Sequence, residues 1–131
     1  MRLLLDTHVL IWWLSDDRRL KRPERTAITE ADGVYVSAAT LWEITVKHSL
    51  GRLDLDQPAL DRELEQADLT ELPITWGHAR AVGSLPAIHS DPFDRMLISQ
   101  ALTENVTLLS YDRLVQQYDV PLLPAPVRSR T

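Results

Sequence analysis

An α/β fold with a parallel sheet covered by helices on both faces is what the sequence predicts, and three observations predict it. Short leucine-rich or β-branched runs (Leu3–Leu5, Val34–Ser37, Thr107–Ser110) read as fully buried strands. Helix-length stretches separate them, the alternation expected of a parallel sheet. The 131 residues contain no internal repeat, low-complexity tract or interior linker, so one domain over residues 1–131 is expected.

In chain order, Leu3–Leu5 is the first strand and about His8–Leu14 the first helix. Helices follow at about Pro23–Ala31 and, after the strand Val34–Ser37, at Ala38–Leu50, where Gly51 suits the position past the helix end. Another helix is expected at Pro58–Ala67. Leu72–Ile74 is a weaker strand, short or at an edge because Pro73 cannot donate to a ladder. Helices at Trp76–Ser84 and Pro92–Thr103 come next, the latter with proline in its first turn. Thr107–Ser110 is a strand, Arg113–Gln117 a short helix and Leu122–Leu123 a last weak strand. The tail, rich in proline at Pro121, Pro124 and Pro126, is expected to fray over about 124–131.

Composition narrows the function classes only a little. Cysteine is absent, which removes disulfides and thiolate metal sites and suits a reducing cytoplasm. Met1 to Leu5 is too short an apolar start for a secretory signal, and Val9–Leu14 is far below the ~20 residues of a membrane span, so a cytoplasmic protein with no membrane partner is expected. The net charge of −5 argues against a protein that merely coats nucleic acid. Carboxylates gathered for a hard cation also lower net charge, and the bound ion restores it locally.

Ligands of open parallel sheets bind beyond the carboxyl ends of the strands, and that edge holds the informative acids. Asp6 directly follows Leu3–Leu5, and Asp112 lies two residues beyond Ser110. Each also stands where a helix N-cap belongs, a role worth about 0.5–2 kcal/mol that needs no further explanation. Asp94 says more. Asp91 and Pro92 mark a helix start, and at ~100° per residue Asp94 falls between Leu97, Ile98 and Ala101 on the apolar stripe. A carboxylate on a core-facing stripe is costly unless something pairs with it, and the helix dipole offsets only about 0.3–1 kcal/mol. Glu43 lies near the border of the polar face of its helix, where a solvent-exposed pair with Lys47 is the default reading. It also lies within reach of a strand exit. If the four acids converge, a divalent cation is close to obligatory, and without cysteine Mg²⁺ or Mn²⁺ suits the oxygen ligands. Such an ion activates water and stabilises charge on phosphate, the core of metal-assisted nuclease chemistry.

The residues around these acids carry a family likeness. Leu4-Leu5-Asp6-Thr7-His8, the stretch Val36–Ile44 ending in Leu41-Trp42-Glu43-Ile44, His89-Ser90-Asp91-Pro92-Phe93-Asp94-Arg95 and Leu108-Leu109-Ser110-Tyr111-Asp112 resemble, in that order, the motifs of PIN-domain proteins. The nearest likeness is to VapC-type toxins of bacterial toxin–antitoxin pairs, and it runs from Met1 to about Leu123. The resemblance implies a PIN-like three-layer α/β/α sandwich with a central parallel sheet. It also implies a divalent-metal-dependent endoribonuclease that hydrolyses RNA phosphodiesters with metal-activated water and leaves 5′-phosphate and 3′-hydroxyl ends. The family's acids map onto Asp6, Glu43, Asp94 and Asp112, with Ser110 supporting the last. Asp91 is a further acid of the subgroup's motif, although helix capping is its simpler role. A homodimer and a cognate antitoxin whose tail crosses the groove are implied as partners.

Other residues invite functional readings. No two of His8, His48, His78 and His89 have the i, i+4 spacing of helical zinc ligands, and His89 is expected to order the loop before Asp91. Trp12, Trp13, Trp42 and Trp76 lie in apolar helical segments, so core packing or a protein interface is preferred over stacking on bases. Arg18, Arg19, Lys21, Arg22 and Arg25 form a basic run that reads first as a solvated loop and second as a guide for RNA; Arg95 is a candidate phosphate contact on its helix's polar face. The competing functions are a phosphatase using Asp6 as nucleophile, disfavoured by His8 where a second aspartate belongs, a catalytically silent binding module, and a DNA nuclease on the same fold.

Overall fold

The computed structural model describes residues 1–126 of the chain. Residues 127–131, the end of the tail expected to fray, lie outside the described residues. Five parallel strands form one sheet: β1 (Arg2–Leu5), β2 (Gly33–Ser37), β3 (Thr70–Leu72), β4 (Thr107–Leu109) and β5 (Leu122–Leu123), in the spatial order β3-β2-β1-β4-β5. The α-helices are α1 (Thr7–Leu14), α2 (Arg22–Glu30), α3 (Ala38–Ser49), α4 (Gln57–Gln66), α5 (Trp76–Val82) and α6 (Pro92–Glu104).

The leucines of β1 explain the three layers. Side chains alternate across a strand, so Leu3 and Leu5 enter one core with Val34, Val36, Ile28, Ile44 and Leu109. Leu4 enters the opposite core with Leu97, Ile98, Ala101 and Leu108. All three β1 leucines are fully buried, which identifies β1 as the central strand. Truncating any of them to alanine is expected to cost about 2–5 kcal/mol.

Parallel pairing aligns the strand exits. β1 sits in register with β4 through Leu5 opposite Leu109, and with β2 through Leu5 opposite Val36. The Asp6 N–H continues the ladder by donating to the Leu109 carbonyl at 3.1 Å. The chain leaving β1, β2 and β4 therefore emerges at one edge, carrying Asp6, α3 and Ser110 with it.

Local signals in the sequence match most of the element ends. Gly51 adopts φ +69° beyond α3, and the following Arg52 N–H returns to the Lys47 carbonyl at 2.8 Å. Pro92 sits in the first turn of α6 under an Asp91 cap. Two elements differ from expectation. β3 occupies Thr70–Leu72 rather than Leu72–Ile74, because Pro73 ends the ladder instead of joining it, and the strand lies at the sheet edge as expected. The helix expected at Arg113–Gln117 is a single 3₁₀ turn at Val115–Gln117. Among the described residues no helix is long and apolar enough to cross a membrane.

Candidate metal centre

Asp6 is both a helix cap and a member of the acidic edge. Its carboxylate accepts from the Val9 N–H at 2.8 Å, yet only 4% of the residue is exposed. Burial raises its pKa above the ordinary carboxylate value, and the Asp112 charge adds to the rise. The Ser110 hydroxyl, the Val9 N–H and the His8 charge oppose it.

Glu43 corrects the expectation of a solvent-exposed pair. The Lys47 ion pair does form, at 2.5 Å between Nζ and Oε2, but Glu43 is only 3% exposed. α3 turns Glu43 inward across α1, where Thr7 Oγ1 donates to its Oε1 at 2.5 Å. Both carboxylate oxygens thus have fixed donors. Lys47's pKa is raised, first by its hydrogen bond to Glu43 and further by the charges of Asp91 and Asp94, while burial opposes the rise.

Asp94 projects from the first turn of α6 into the space between these groups. Its pKa is pushed up to about 7, chiefly by burial and then by the charges of Asp91, Asp6 and Glu43. Those three carboxylates are therefore within electrostatic reach of the fourth. Asp91 plays the capping role expected of it, with Oδ1 accepting from the N–H groups of Phe93 and Asp94 at 2.8 and 3.1 Å. Asp112 caps the turn after β4 by accepting from Leu114 and Val115, and the buried Ser110 hydroxyl accepts the Asp112 N–H at 3.1 Å.

His89 joins the acids, beyond its expected part in ordering the loop. Nδ1 accepts the Asp91 N–H at 3.2 Å, as a loop-ordering residue would. That contact leaves the ring hydrogen on Nε2 in the neutral tautomer. Nε2 lies 2.9 Å from Asp94 and 3.5 Å from Asp112 but is aligned on no hydrogen-bond acceptor, and the side chain is 10% exposed. His89, Asp94 and Asp112 each bring a ligand atom within 4.8 Å of the other two. The signal missed in the sequence was proximity: His89 is two residues from a helix cap whose helix points its first turn at the site. Thr7 was likewise missed, although as the residue after Asp6 it is carried to the same edge.

Arg95 is not placed to meet phosphate. Its guanidinium donates to the carbonyls of Val82, Leu85, Pro86 and His89 and to the Tyr118 hydroxyl. The loop ahead of α6 folds over the helix and engages both terminal nitrogens of the guanidinium. Core packing also fails for Trp42 and Trp76, which are 60% and 82% exposed; Trp42 meets Phe93 edge-on, with ring centroids 4.9 Å apart. Of the remaining histidines, His78 is buried against Thr75 and Glu104, away from the acids, while His8 lies beside Trp12 near Asp6.

The donor set fits a divalent cation. A cation among these carboxylates would offset the burial and mutual repulsion that raise the pKa values of Asp6 and Asp94, and oxygen ligands with one imidazole nearby suit a hard or borderline ion.

A profile of the PIN domain family matches residues 3–121. Ribonuclease VapC22 of Mycobacterium tuberculosis is 27% identical over 129 residues, covering 90% of this chain and 92% of that protein. The structure of VapBC2 from Rickettsia felis bound to a promoter DNA fragment superposes with a TM-score of 0.72 at 14% identity, covering 93% of this chain and 97% of the other. FitAcB from Neisseria gonorrhoeae gives 0.61 at 20% identity, covering 92% and 95%. At such identities the solved structures speak to fold, whereas the profile spans nearly the whole sequence: the chain belongs to the PIN domain family.

Proposed function

We propose that this chain is a Mg²⁺- or Mn²⁺-dependent endoribonuclease and the toxin of a toxin–antitoxin pair. The observation that carries the reading is the convergence of Asp6, Glu43, Asp94 and Asp112 at the carboxyl edge of the sheet, with Asp94 pushed up to about 7 by its burial and its acidic neighbours. Isolated acids of structural purpose have no reason to accept that cost.

Asp6, Asp94 and Asp112 would hold the ion. Once bound there, it supplies charge to a phosphate and lowers the pKa of water. Glu43 cannot swing freely, because Thr7 and Lys47 hold one oxygen each. That fixity suits it to complete the ligand set or to orient the attacking water, and Lys47 offsets part of its charge. Ser110 holds the turn that presents Asp112 and donates toward Asp6. The His89 Nε2–H, facing Asp94 and Asp112, is a further donor at the edge where a phosphate would lie.

RNA as substrate is supported by the likeness to Ribonuclease VapC22, and an antitoxin partner by the VapBC complexes among the structural neighbours. A homodimer and a cytoplasmic location belong to the same reading. The test is incubation of purified, antitoxin-free chain with total RNA in Mg²⁺, Mn²⁺ or EDTA, beside Asp94→Asn. Cuts at discrete positions that disappear with EDTA and with the substitution support the reading. Folded chain that cuts only DNA, or nothing, sinks it in favour of a DNA nuclease or a binding module.

A further inference from the structure

Alongside the acids runs a cleft of about 280 Å³ whose lining includes Asp6, His8, Trp12, Arg19, Tyr111 and Asp112. Two of these belong to the acidic edge, so the cleft is continuous with the candidate metal centre. Of the others, His8, Trp12 and Tyr111 come from two segments that leave that edge, and Arg19 comes from the loop between α1 and α2. His8 and Trp12 are one helical turn apart on α1, with ring centroids separated by 5.8 Å. Tyr111 lies two residues beyond the end of β4, and its ring centroid lies 5.9 Å from that of Trp12.

We propose that this cleft is a nucleobase subsite, in which a base next to the scissile phosphate stacks against Trp12 and Tyr111. The proposal rests on the nuclease reading and adds to it the place where one nucleotide of the substrate is held. A nucleotide carries an apolar ring and an anionic phosphate a short distance apart. The structure offers the same pairing in reverse, aromatic faces beside a cation-binding edge. Of the four tryptophans, Trp12 is the one that lines this cleft.

The rings are held in place. Tyr111 donates its hydroxyl hydrogen to Glu24 and accepts the Lys21 N–H at 3.1 Å, so its face is set before any ligand arrives. The Arg19 guanidinium lies 5.0 Å from the Trp12 ring centroid and is oriented by Asp17 through two hydrogen bonds, at 3.1 and 2.8 Å. A cation over one end of an aromatic wall suits stacking and the adjoining phosphate together. Recognition through π-faces tolerates every base, so the subsite would hold a nucleotide firmly while choosing weakly among sequences.

The test measures binding and does not depend on cutting. Fluorescein-labelled octamers of adenylate and of uridylate, and an abasic octamer, are titrated with the chain carrying Asp94→Asn, with and without Trp12→Ala. Loss of stacking is expected to weaken both RNA octamers roughly ten-fold and to leave the abasic octamer unchanged. Trp12→Phe keeps a ring and should stay within about three-fold of the parent, which separates stacking from damage to α1. Arg19→Gln should flatten the salt dependence, whereas Trp12→Ala should not. Equal weakening of RNA and abasic octamers overturns the proposal, as does unchanged RNA affinity in Trp12→Ala or failure of the parent to bind either RNA. RNA binding that depends on Trp12 in a chain that cuts nothing would uphold the subsite while sinking the nuclease; metal-dependent cutting with a neutral Trp12→Ala would do the reverse.

Discussion

Thr7 Oγ1 donates to Glu43 Oε1 at 2.5 Å, joining the first residue of α1 to the middle of α3 across the carboxyl edge of the sheet. The contact ties two separate strand exits together through a carboxylate that is 3% exposed. Hydrogen bonds to charged groups contribute about 1.5–3 kcal/mol, and a buried acceptor stripped of its donor costs a similar amount. Thr7→Val keeps the shape and removes the donor. It is expected to destabilise the chain by roughly 2 kcal/mol in urea unfolding and to reduce cleavage, because Glu43 is then held by Lys47 alone. Unchanged stability and cleavage would deny the contact any role.

Asp94 carries the opposite balance. An acid whose pKa rises on folding costs stability when it ionises, at roughly 1.4 kcal/mol per unit of displacement. Asp94→Asn should therefore make the metal-free chain more stable at pH 8, by about 2–4 kcal/mol, while abolishing metal-dependent cleavage. Chemical denaturation beside the cleavage assay checks both halves. A destabilised Asp94→Asn would mean that the carboxylate is structural.

The same displacement fixes the sign of a pH dependence. Asp94 ionises near 3.8 in the unfolded chain and about 7 in the folded one. Between those values the folded state binds more protons, so stability falls as pH rises through the interval and levels off above it. Asp6, whose pKa is also raised, contributes in the same direction. The metal-free chain is expected to melt at a lower temperature at pH 8 than at pH 5. Millimolar Mn²⁺ should raise the melting temperature more at pH 8 than at pH 5, since the ligands are then ionised. A melting temperature that climbs from pH 5 to 8 without metal would contradict the buried-carboxylate description.

How far the sequence spoke for itself varies with the range of the interaction. β1, β2 and β4 were readable because buried parallel strands are written as unbroken apolar runs, and Leu3, Leu4 and Leu5 need no partner information to be recognised as core. Asp94 was readable because its helical phase placed a charge among Leu97, Ile98 and Ala101. Glu43 was misjudged by the same reasoning: phase relative to one helix's own apolar face cannot show that α1 packs across the border and buries it. The places of His89 and Thr7 beside the acids escaped for a related cause. Their roles depend on which loops and helices meet at the sheet edge, a tertiary fact with no local period. Arg95 looked free because nothing in its helix signals a loop folding back over it.

Arg95 yields a further prediction. Its guanidinium serves four carbonyls and the Tyr118 hydroxyl, holding the segment from Val82 to His89 against α6. Arg95→Gln should destabilise the chain by about 3 kcal/mol in denaturant melts. The salt dependence of RNA binding should be unchanged, because no phosphate contact is lost. A flattened salt dependence with stability intact would return Arg95 to the phosphate-binding role that its sequence position suggested.

The products of cleavage report which oxygen attacks. Cleavage by the ribose 2′-hydroxyl needs a group that accepts its proton, and it leaves a 2′,3′-cyclic phosphate. Of the histidines, His89 lies closest to the acids, but its Nδ1 is occupied by the Asp91 N–H, leaving Nε2 as the hydrogen-bearing nitrogen. In this arrangement it is a donor facing the acids. Water attacking in line instead breaks the bond to the 3′-oxygen and leaves a 5′-phosphate and a 3′-hydroxyl. The cut fragments should accept label from polynucleotide kinase only after phosphatase treatment, and their 3′ ends should ligate without prior repair. Cyclic phosphate at the cut ends would transfer the chemistry from the acidic edge to the ribose, and with it the roles assigned to Asp6, Glu43, Asp94 and Asp112.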